Sequence, residues 1–454
     1  MNRKADVDAV LARAKKRGLT HFTQGYFDHN GQLRSKEVHI DALAGAFDEG
    51  AALHTGVFTT APDGSLIPES EFSDPAAQFR DARLVLDAAA VRDTPLGARE
   101  DGLLCIGRLE GNCAAVCPRT LLEAEVARFK ALGYTVEAAF EFEFRLLEET
   151  RASLGLRTPD AVKVVSGTEW FYSFADQATL NPRLAEFAEV AAVLGAPVEA
   201  WHTELTELVE FALKPAPCVR AADNAGLFRA AAKAVAKRHG LMASFMARLN
   251  AASQGAGGHL NLSLRDAEGR ALFTEHGAGG GPGEALWHFL GGLERYTPEL
   301  MLAFAPNLNS YRRFEPGLFT PLNVSWGVDN KTVAFRVAEL TAPATRIENR
   351  LPGADVHPHL ALTAMLAAGR RGIEQRLEPG PAVVGDAWSL PETDQIALPV
   401  DFASAITAFE ASALAREVYG ERFVSAYVTT RRWQQRTIAG TVTDRELRMF
   451  AEGA

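Results

Sequence analysis

The chain has 454 residues, 47% of them hydrophobic and 23% charged, proportions that belong to a folded chain with a sizeable core rather than a disordered one. A formal charge of −10 speaks against a broad face for a polyphosphate backbone, so nucleic acid is not an expected partner. Cys105, Cys113, Cys117 and Cys218 make neither a disulfide framework nor a doubled CxxC, no run approaches 18 apolar residues, and the N-terminus lacks an apolar signal core; reduced thiols, a cytoplasmic location and no membrane span are the expectation.

In chain order, Val7, Val10, Leu11 and Ala14 recur at helical spacing among basic residues until Gly18, which predicts a short amphipathic surface helix. HFTQGYF and QLRSKEVHI then flank Asp28-His29-Asn30-Gly31, a turn sequence that predicts a hairpin. The irregular stretch from Thr59 to Leu96 predicts a loop and then a strand near Leu84 to Leu86, and this β-rich unit is expected to close at residue 112. Beyond it Thr120 and Glu123 have capping-box spacing ahead of LLEAEVARFKAL, Gly133 stops that helix, and YTVEAAFEFEFRLL reads as a strand. The same grammar recurs when LAEFAEVAAVLG ends at Gly195 and leads into the strand-like run APVEAWHTELTELVEF. A third helix, from about Arg220 to His239, stops at Gly240. Repeated helix-to-strand units predict a curved sheet backed by helices. HGAGGGPG (276–283) reads as a flexible loop rather than a phosphate cradle, since no Gly-Lys-Ser/Thr follows it. HPHLALTAMLAAGRRGI (357–373) predicts a buried helix, with His357 and His359 packing at its start, and Pro-containing loops and two helical patterns complete the chain.

Charge inside core-like strands carries the functional signal. In AAFEFEFRLL, Phe140, Phe142 and Phe144 share one strand face and Glu141 and Glu143 the other. Adjacent carboxylates resist burial, so the acidic face must meet water or cations. His202, Glu204 and Glu210 have the same even spacing in WHTELTELVEF, as do His259, Asn261 and Ser263 in GHLNLSL, and Arg346, Glu348 and Arg350 in ATRIENRL. If these faces converge, five carboxylates and an imidazole suit two or three hard cations such as Mg²⁺ or Mn²⁺, and the arginines suit phosphate. That is the equipment of phosphoryl transfer and points to an ATP-using enzyme.

Five ordered blocks then resemble the glutamine synthetase superfamily, on its γ-glutamylamide synthetase-like branch: Glu141 to Phe144, GAGGHLNLSL, Asn309 to Arg313 with Pro316-Gly317, Arg346 to Arg350, and the HPHLALTAMLAAGRRGIE helix. The resemblance implies an α+β fold, with a small β-grasp N-terminal domain (1–112) and a large catalytic ATP- and metal-binding domain (113–454) whose curved antiparallel sheet is backed by helices. It implies homo-oligomeric rings, commonly stacked in pairs to a dodecamer, with sites between subunits. ATP would phosphorylate the γ-carboxylate of glutamate before an amine displaces phosphate. Carried over by position, Glu143, Glu204 and Glu210 would hold one metal, and Glu141, His259 and Glu348 the other. Gly255, Arg313 and Arg350 would hold glutamate or its activated carboxylate. Arg336 and Arg346 would face the ATP phosphates with Ser263 near the nucleotide, and Arg313, Arg336 and Arg350 would be the catalytic arginines.

The departures from that family pattern concern the amine. Phe319 in PGLFTP stands where the family usually has a glutamate that closes the ammonium site and takes a proton. The Asp-Gly-Ser-Ser segment survives only as Pro62-Asp63-Gly64-Ser65, displaced from Asp81, and the stretch between Glu204 and Glu210 is one residue short, leaving Glu207 as a rival to Glu210. Asn261, Lys331 and Gln254 replace a histidine, an arginine and an asparagine usual in the family. Ammonium needs an anionic pocket and a base, whereas an arylamine is neutral near pH 7 and can pack on Phe319. The expected activity is therefore a γ-glutamyl amide ligase for an apolar, aromatic or alkyl amine. The alternatives are a polyamine or ethanolamine ligase, glutamine synthesis from ammonia with Glu207 or Asp81 as base, and a non-catalytic ring-forming relative. Trp170 to Tyr172 read either as a pocket wall or as a core cluster, and His202 as a residue bordering the site.

Overall fold

Val7, Val10 and Ala14 bury one stripe of a helix spanning Arg3–Lys16, so the predicted N-terminal helix is seated on the first sheet by its apolar face. Arg13 and Arg17 extend beside that stripe to Asp93, and Arg17 also reaches Asp101. The computed structural model describes residues 3–74, 80–96, 101–166, 170–204, 207–274, 281–340 and 344–453.

The first sheet has the order Leu33–His39, His21–Phe27, Gly102–Glu110, Asp81–Thr94, Ala51–His54; His21–Phe27 and Gly102–Glu110 run parallel and the other pairs antiparallel. The predicted hairpin forms around a turn in which Gly31 takes φ +67°, and the buried Asp28 carboxylate accepts from the Asn30 and Gln32 N–H groups and from Arg34. The strand expected near Leu84 to Leu86 is the longer Asp81–Thr94, with a register shift between Leu86 and Val91.

The second sheet has nine strands centred on Thr135–Leu147. Its main order is Trp326–Val328, Phe335–Val337, Ile347–Asn349, Gly258–Arg265, Thr135–Leu147, Val209–Leu213, Val198–Thr203; Met242–Ser244 and Ala216–Pro217 also pair with Thr135–Leu147. All its pairings are antiparallel except Trp326–Val328 with Phe335–Val337. The helix Cys218–Arg238 covers the phenylalanine face: Phe140, Phe142 and Phe144 are fully buried, and Phe142 stacks on Phe228. The expected curved sheet backed by helices is thus the observed architecture. A second helix pair, Glu284–Phe304 and Pro358–Gln375, approaches so closely that a Cβ on Gly372 would lie 1.9 Å from the His288 carbonyl oxygen; only glycine fits there.

Three local expectations are corrected. The helix after residue 112 starts at Pro118, not after Thr120: Pro118 supplies the first helical position, Thr120 Oγ1 finds no partner, and Glu123 pairs with Arg119 instead of closing a capping box. WHTELTELVEF is two antiparallel strands, Val198–Thr203 and Val209–Leu213, rather than one run. The C-terminal region holds four helices, Phe402–Ala411, Ala413–Tyr419, Glu421–Ala439 and Asp444–Phe450, because Ser412 and Gly420 each interrupt what the sequence presents as continuous periodicity. Most of the glycine-rich segment 276–283 lies outside the described residues.

Candidate active site

The acidic face of the second sheet is assembled by register. His259 sits opposite Glu141, Glu210 opposite Glu143, His202 opposite Glu210, and Glu348 opposite both Asn261 and Arg336. Because the helix-covered side consumes every other residue of Thr135–Leu147 as core, Glu141 and Glu143 are forced onto the open side. There they line a cavity of about 250 Å³ together with Glu204, Glu210, His259, Glu348, Gly255, Arg313, Phe319, Arg336 and Arg350. Ser263 and Arg346 do not reach it; they line an adjoining recess of about 460 Å³ that shares Glu141 with the main cavity. Asn261 links the two, donating to Glu141 at 2.9 Å and accepting from Arg346 Nε at 3.1 Å.

Two groups of potential metal-ligand atoms lie within this face, each with its atoms within 4.8 Å of one another: Glu141, His259 and Glu348, and His202, Glu204 and Glu210. In the first, His259 Nδ1 is 3.4 Å from Glu348 and 3.8 Å from Glu141. In the second, His202 lies 3.3 Å from Glu204 and 3.4 Å from Glu210, so the residue expected to border the site offers a potential ligand atom there while standing outside the cavity lining. Glu143 lies between the groups, 4.0 Å from His259 Nε2, and accepts the Gly257 N–H at 2.8 Å.

Electrostatics divides the cavity into halves. Burial, with Glu210 and Glu143 adding repulsion, pushes Glu204 up to about 7. Burial also works against a charged His202, but Glu210 and Glu204 outweigh it and raise its pKa. Around Glu348 burial is overcome by His259, Arg350 and Arg336, which hold the carboxyl at about 2; Arg336 and Arg350 each donate to it, at 2.7 and 2.6 Å. Burial pushes the Arg313 guanidinium down to about 10 against the pull of Glu143; it donates to the Leu351 carbonyl at 2.9 Å, and its Nε has no partner. The donor set of carboxylate oxygens with one imidazole per group fits hard divalent cations, and repulsion around Glu204 is what such a cation would relieve.

The third wall is aromatic. Phe319 is half exposed with φ +50° and meets Trp388 edge-on at 5.5 Å, while Trp388 Nε1 donates to the Thr320 carbonyl. Phe171, Tyr172, Leu208 and Leu318 line the same cavity, and Tyr172, at φ +53°, packs its ring 4.5 Å from that of His202. Trp170, Phe171 and Tyr172 are exposed, so this segment is a cavity rim rather than a core cluster. Lys331 and Gln254, noted in the sequence as departures from the family, line the cavity, whereas Trp388, in the short turn of helix Ala387–Ser389 behind Phe319, had no signal in the sequence.

The rival residues fall elsewhere. Glu207 pairs with the fully buried Arg145 at 2.5 Å and is not part of the lining, whereas Glu210 is. Asp81 stands exposed at the start of its strand in the first sheet, and Asp63 sits in an exposed turn held by Ser65. His357 and His359 pack at the helix start as expected, donating to the Asp28 carbonyl and to Asp223. All four cysteines are buried and unpaired.

A nine-stranded sheet carrying this acid, imidazole and arginine set defines a class. The family model for the glutamine synthetase catalytic domain matches residues 115–450, and the chain belongs to that family. Among its relatives, a glutamate–isopropylamine ligase of a Pseudomonas species is 29% identical over 441 residues, covering 96% of each chain. The γ-glutamylethanolamide synthetase of Streptomyces coelicolor is 33% identical over 344 residues, 76% of this chain and 73% of the relative. The solved structure of ligand-free GmaS superposes with a TM-score of 0.82 at 24% identity, over 97% of this chain and 99% of that one, which establishes the shared fold.

Proposed function

We propose that this protein is an ATP-dependent ligase that joins the γ-carboxylate of L-glutamate to an organic amine through γ-glutamyl phosphate, with alkyl, apolar or aromatic amines preferred to ammonia. The observation that carries the preference is Phe319, an aromatic ring in the cavity wall beside Leu318 and Phe171. An apolar amine substituent would leave water against these groups, while ammonia gains nothing from them. The two relatives named for isopropylamine and ethanolamine products support the same choice.

The remaining roles follow from charge. Arg313 and Arg350, with the Gly255 backbone between, would hold the glutamate carboxylates. Arg336, reaching in from the Phe335–Val337 strand, and Arg346 with Ser263 in the adjoining recess would face the nucleotide. The Glu141, His259, Glu348 group and the Glu204, Glu210 group, with Glu143 or His202 completing the latter, would hold Mg²⁺ or Mn²⁺. Bound there, such cations supply charge neutralisation between phosphate and carboxylate. Exclusion of water by Phe319, Leu318 and Tyr172 would protect the acyl phosphate from hydrolysis. We also propose that the chain assembles as a homo-oligomer of stacked rings, tested by light scattering against the 49.0 kDa chain mass.

The test of activity is direct. Purified protein with ATP, Mg²⁺ and glutamate is offered ammonia, methylamine, propylamine, ethanolamine, putrescine or aniline, and phosphate release is followed with the glutamyl product by mass. Preference for an organic amine is the expected result; preference for ammonia would make the protein a glutamine synthetase in the narrow sense, and silence with all amines would remove the ligase reading.

A further inference from the structure

Behind the second sheet, on the side covered by the Cys218–Arg238 helix, lies a separate cavity of about 700 Å³ that shares no lining residue with the catalytic one. Its size suits a small organic ligand. Arg229, Lys233 and Lys237 are spaced four apart on that helix and therefore present one face to it. Leu147, Leu241, Met242, Phe245, Met246 and Leu249 provide an apolar wall.

Of the three cations in this cavity Arg229 is buried, Lys233 half-buried and Lys237 exposed. Among the described residues, Lys233 makes no hydrogen bond or ion pair; its ammonium has only the Phe245 ring, 5.8 Å away. Arg229 is 6% exposed, donates one group to the Val356 carbonyl, lies 5.5 Å over the same ring, and leaves its Nε without a partner. Burial pushes Lys233 down to about 8 and Arg229 to about 10. A buried guanidinium with an unsatisfied N–H, as at Arg229 Nε, costs free energy that a bound anion would return.

The acids nearby supply charge but, among the described residues, no hydrogen bond to either cation: Asp355 and Asp28 favour the charged form of Arg229, and Asp28 that of Lys233. Glu149 is occupied by Ser153, Arg157 and the Lys163 N–H. Asp355 spends one oxygen on Asn307 and Ser310, at 2.8 and 2.7 Å, and its other oxygen has no partner. Asn307, Asn309 and Asp355 form the wall nearest Leu308–Arg313, the segment that carries Arg313 to the catalytic cavity.

We propose that this cavity is a second ligand site, for a small organic anion with its charge at one end and an apolar body at the other. Lys233 and Arg229 bind the charged end, and Met242, Phe245 and Leu249 the body. A medium-chain or aryl-substituted carboxylate has this chemistry. A volume of about 700 Å³ with cations at one end and an apolar wall at the other matches a molecule of that size and shape.

The experiment is calorimetric titration of the intact protein with octanoate, and with octan-1-ol as the uncharged control. Octanoate is expected to bind at least about tenfold more tightly than octanol, and Lys233→Met, which keeps the apolar stem, to weaken octanoate by about the same factor, the worth of a charge-assisted contact. Lys233→Gln, which keeps a polar end but removes the charge, is the second variant should Lys233→Met fail to fold. Both variants should release phosphate within twofold of the parent in the ligase assay. Equal binding of octanoate and octanol, octanoate binding that neither variant weakens, or no binding at all would overturn the proposal. So would light scattering in which octanoate dissociates an oligomer, since the cavity would then belong to an interface between copies. Binding is read by heat, so this result does not depend on whether the proposed ligase activity is found.

Discussion

Replacing Phe319 by glutamate tests the amine preference at its source. Phe319 already holds φ +50°, a conformation that costs phenylalanine and glutamate alike, so the exchange adds no new backbone strain. The ring is 49% exposed and, among the described residues, meets Trp388 at 5.5 Å, so the stability loss is about 1 kcal/mol and the fold should persist. The catalytic consequence is larger. An alkyl group of about propyl size seated against the Phe319 ring and Leu318 gains about 2 kcal/mol from leaving water, a factor of about 30 in kcat/KM. Glutamate at this position removes that surface and adds a charge that attracts ammonium. The ratio of kcat/KM for propylamine to that for ammonia should fall by about 30-fold, measured by phosphate release at saturating ATP and glutamate. Phe319→Leu should keep most of the parent ratio, because it retains apolar surface. If Phe319→Glu keeps parent-like circular dichroism and the ratio moves by less than about threefold, the role given to Phe319 is wrong.

Metal affinity separates the two candidate completions of the second ligand group: His202→Ala should weaken one class of Mn²⁺ sites by more than about tenfold while sparing the class lost in His259→Ala, and a normal His202→Ala titration alongside a defective Glu143→Gln would assign the group to Glu143. Stability should fall on mild acidification. Burial, only partly offset by the hydrogen bond to Val116, pushes His29 down to about 4 from 6.5, so its contribution is present above pH 6.5 and lost as pH falls toward 4, about 3 kcal/mol in all. His357, lowered by burial, acts in the same direction; the His29 share is therefore the difference between urea titrations of the parent and His29→Gln, and identical pH slopes would contradict it. Gly372→Ala should cost about 3 kcal/mol in the same unfolding assay, since its Cβ would lie 1.9 Å from the His288 carbonyl oxygen; a change below about 0.5 kcal/mol would show that the two helices can part freely.

Much of the site was legible because strand alternation is a local property. Two carboxylates between three phenylalanines allow one arrangement in a half-buried strand, so Glu141 and Glu143 announce an open acidic face before any partner strand is known. His259 and Glu348 could be recognised from the even spacing of polar residues in their strands, His259 with Asn261 and Ser263, and Glu348 with Arg346 and Arg350. The hairpin hidden in WHTELTELVEF was less legible, since even spacing alone cannot distinguish one strand from two that turn back on each other. The capping spacing at Thr120 misled because Pro118 begins a helix equally well two residues earlier. His202 could be placed among the ligand atoms only once the register of Val198–Thr203 against Val209–Leu213 was available.

By itself the sequence determined which residues carry charge into the core, the helix stops at Gly133, Gly195 and Gly240, and an acidic, arginine-rich chemistry suited to phosphoryl transfer, all of which depend on near neighbours along the chain. Only the tertiary structure decided that Glu210 rather than Glu207 faces the cavity, that Trp388 supports Phe319 from 69 positions away, and that Arg229 is buried with its Nε unpartnered beside a second cavity. These depend on strand register and on contacts between distant segments, where the net energy comes from burial and pairing across space and leaves no periodic trace in the order of the residues.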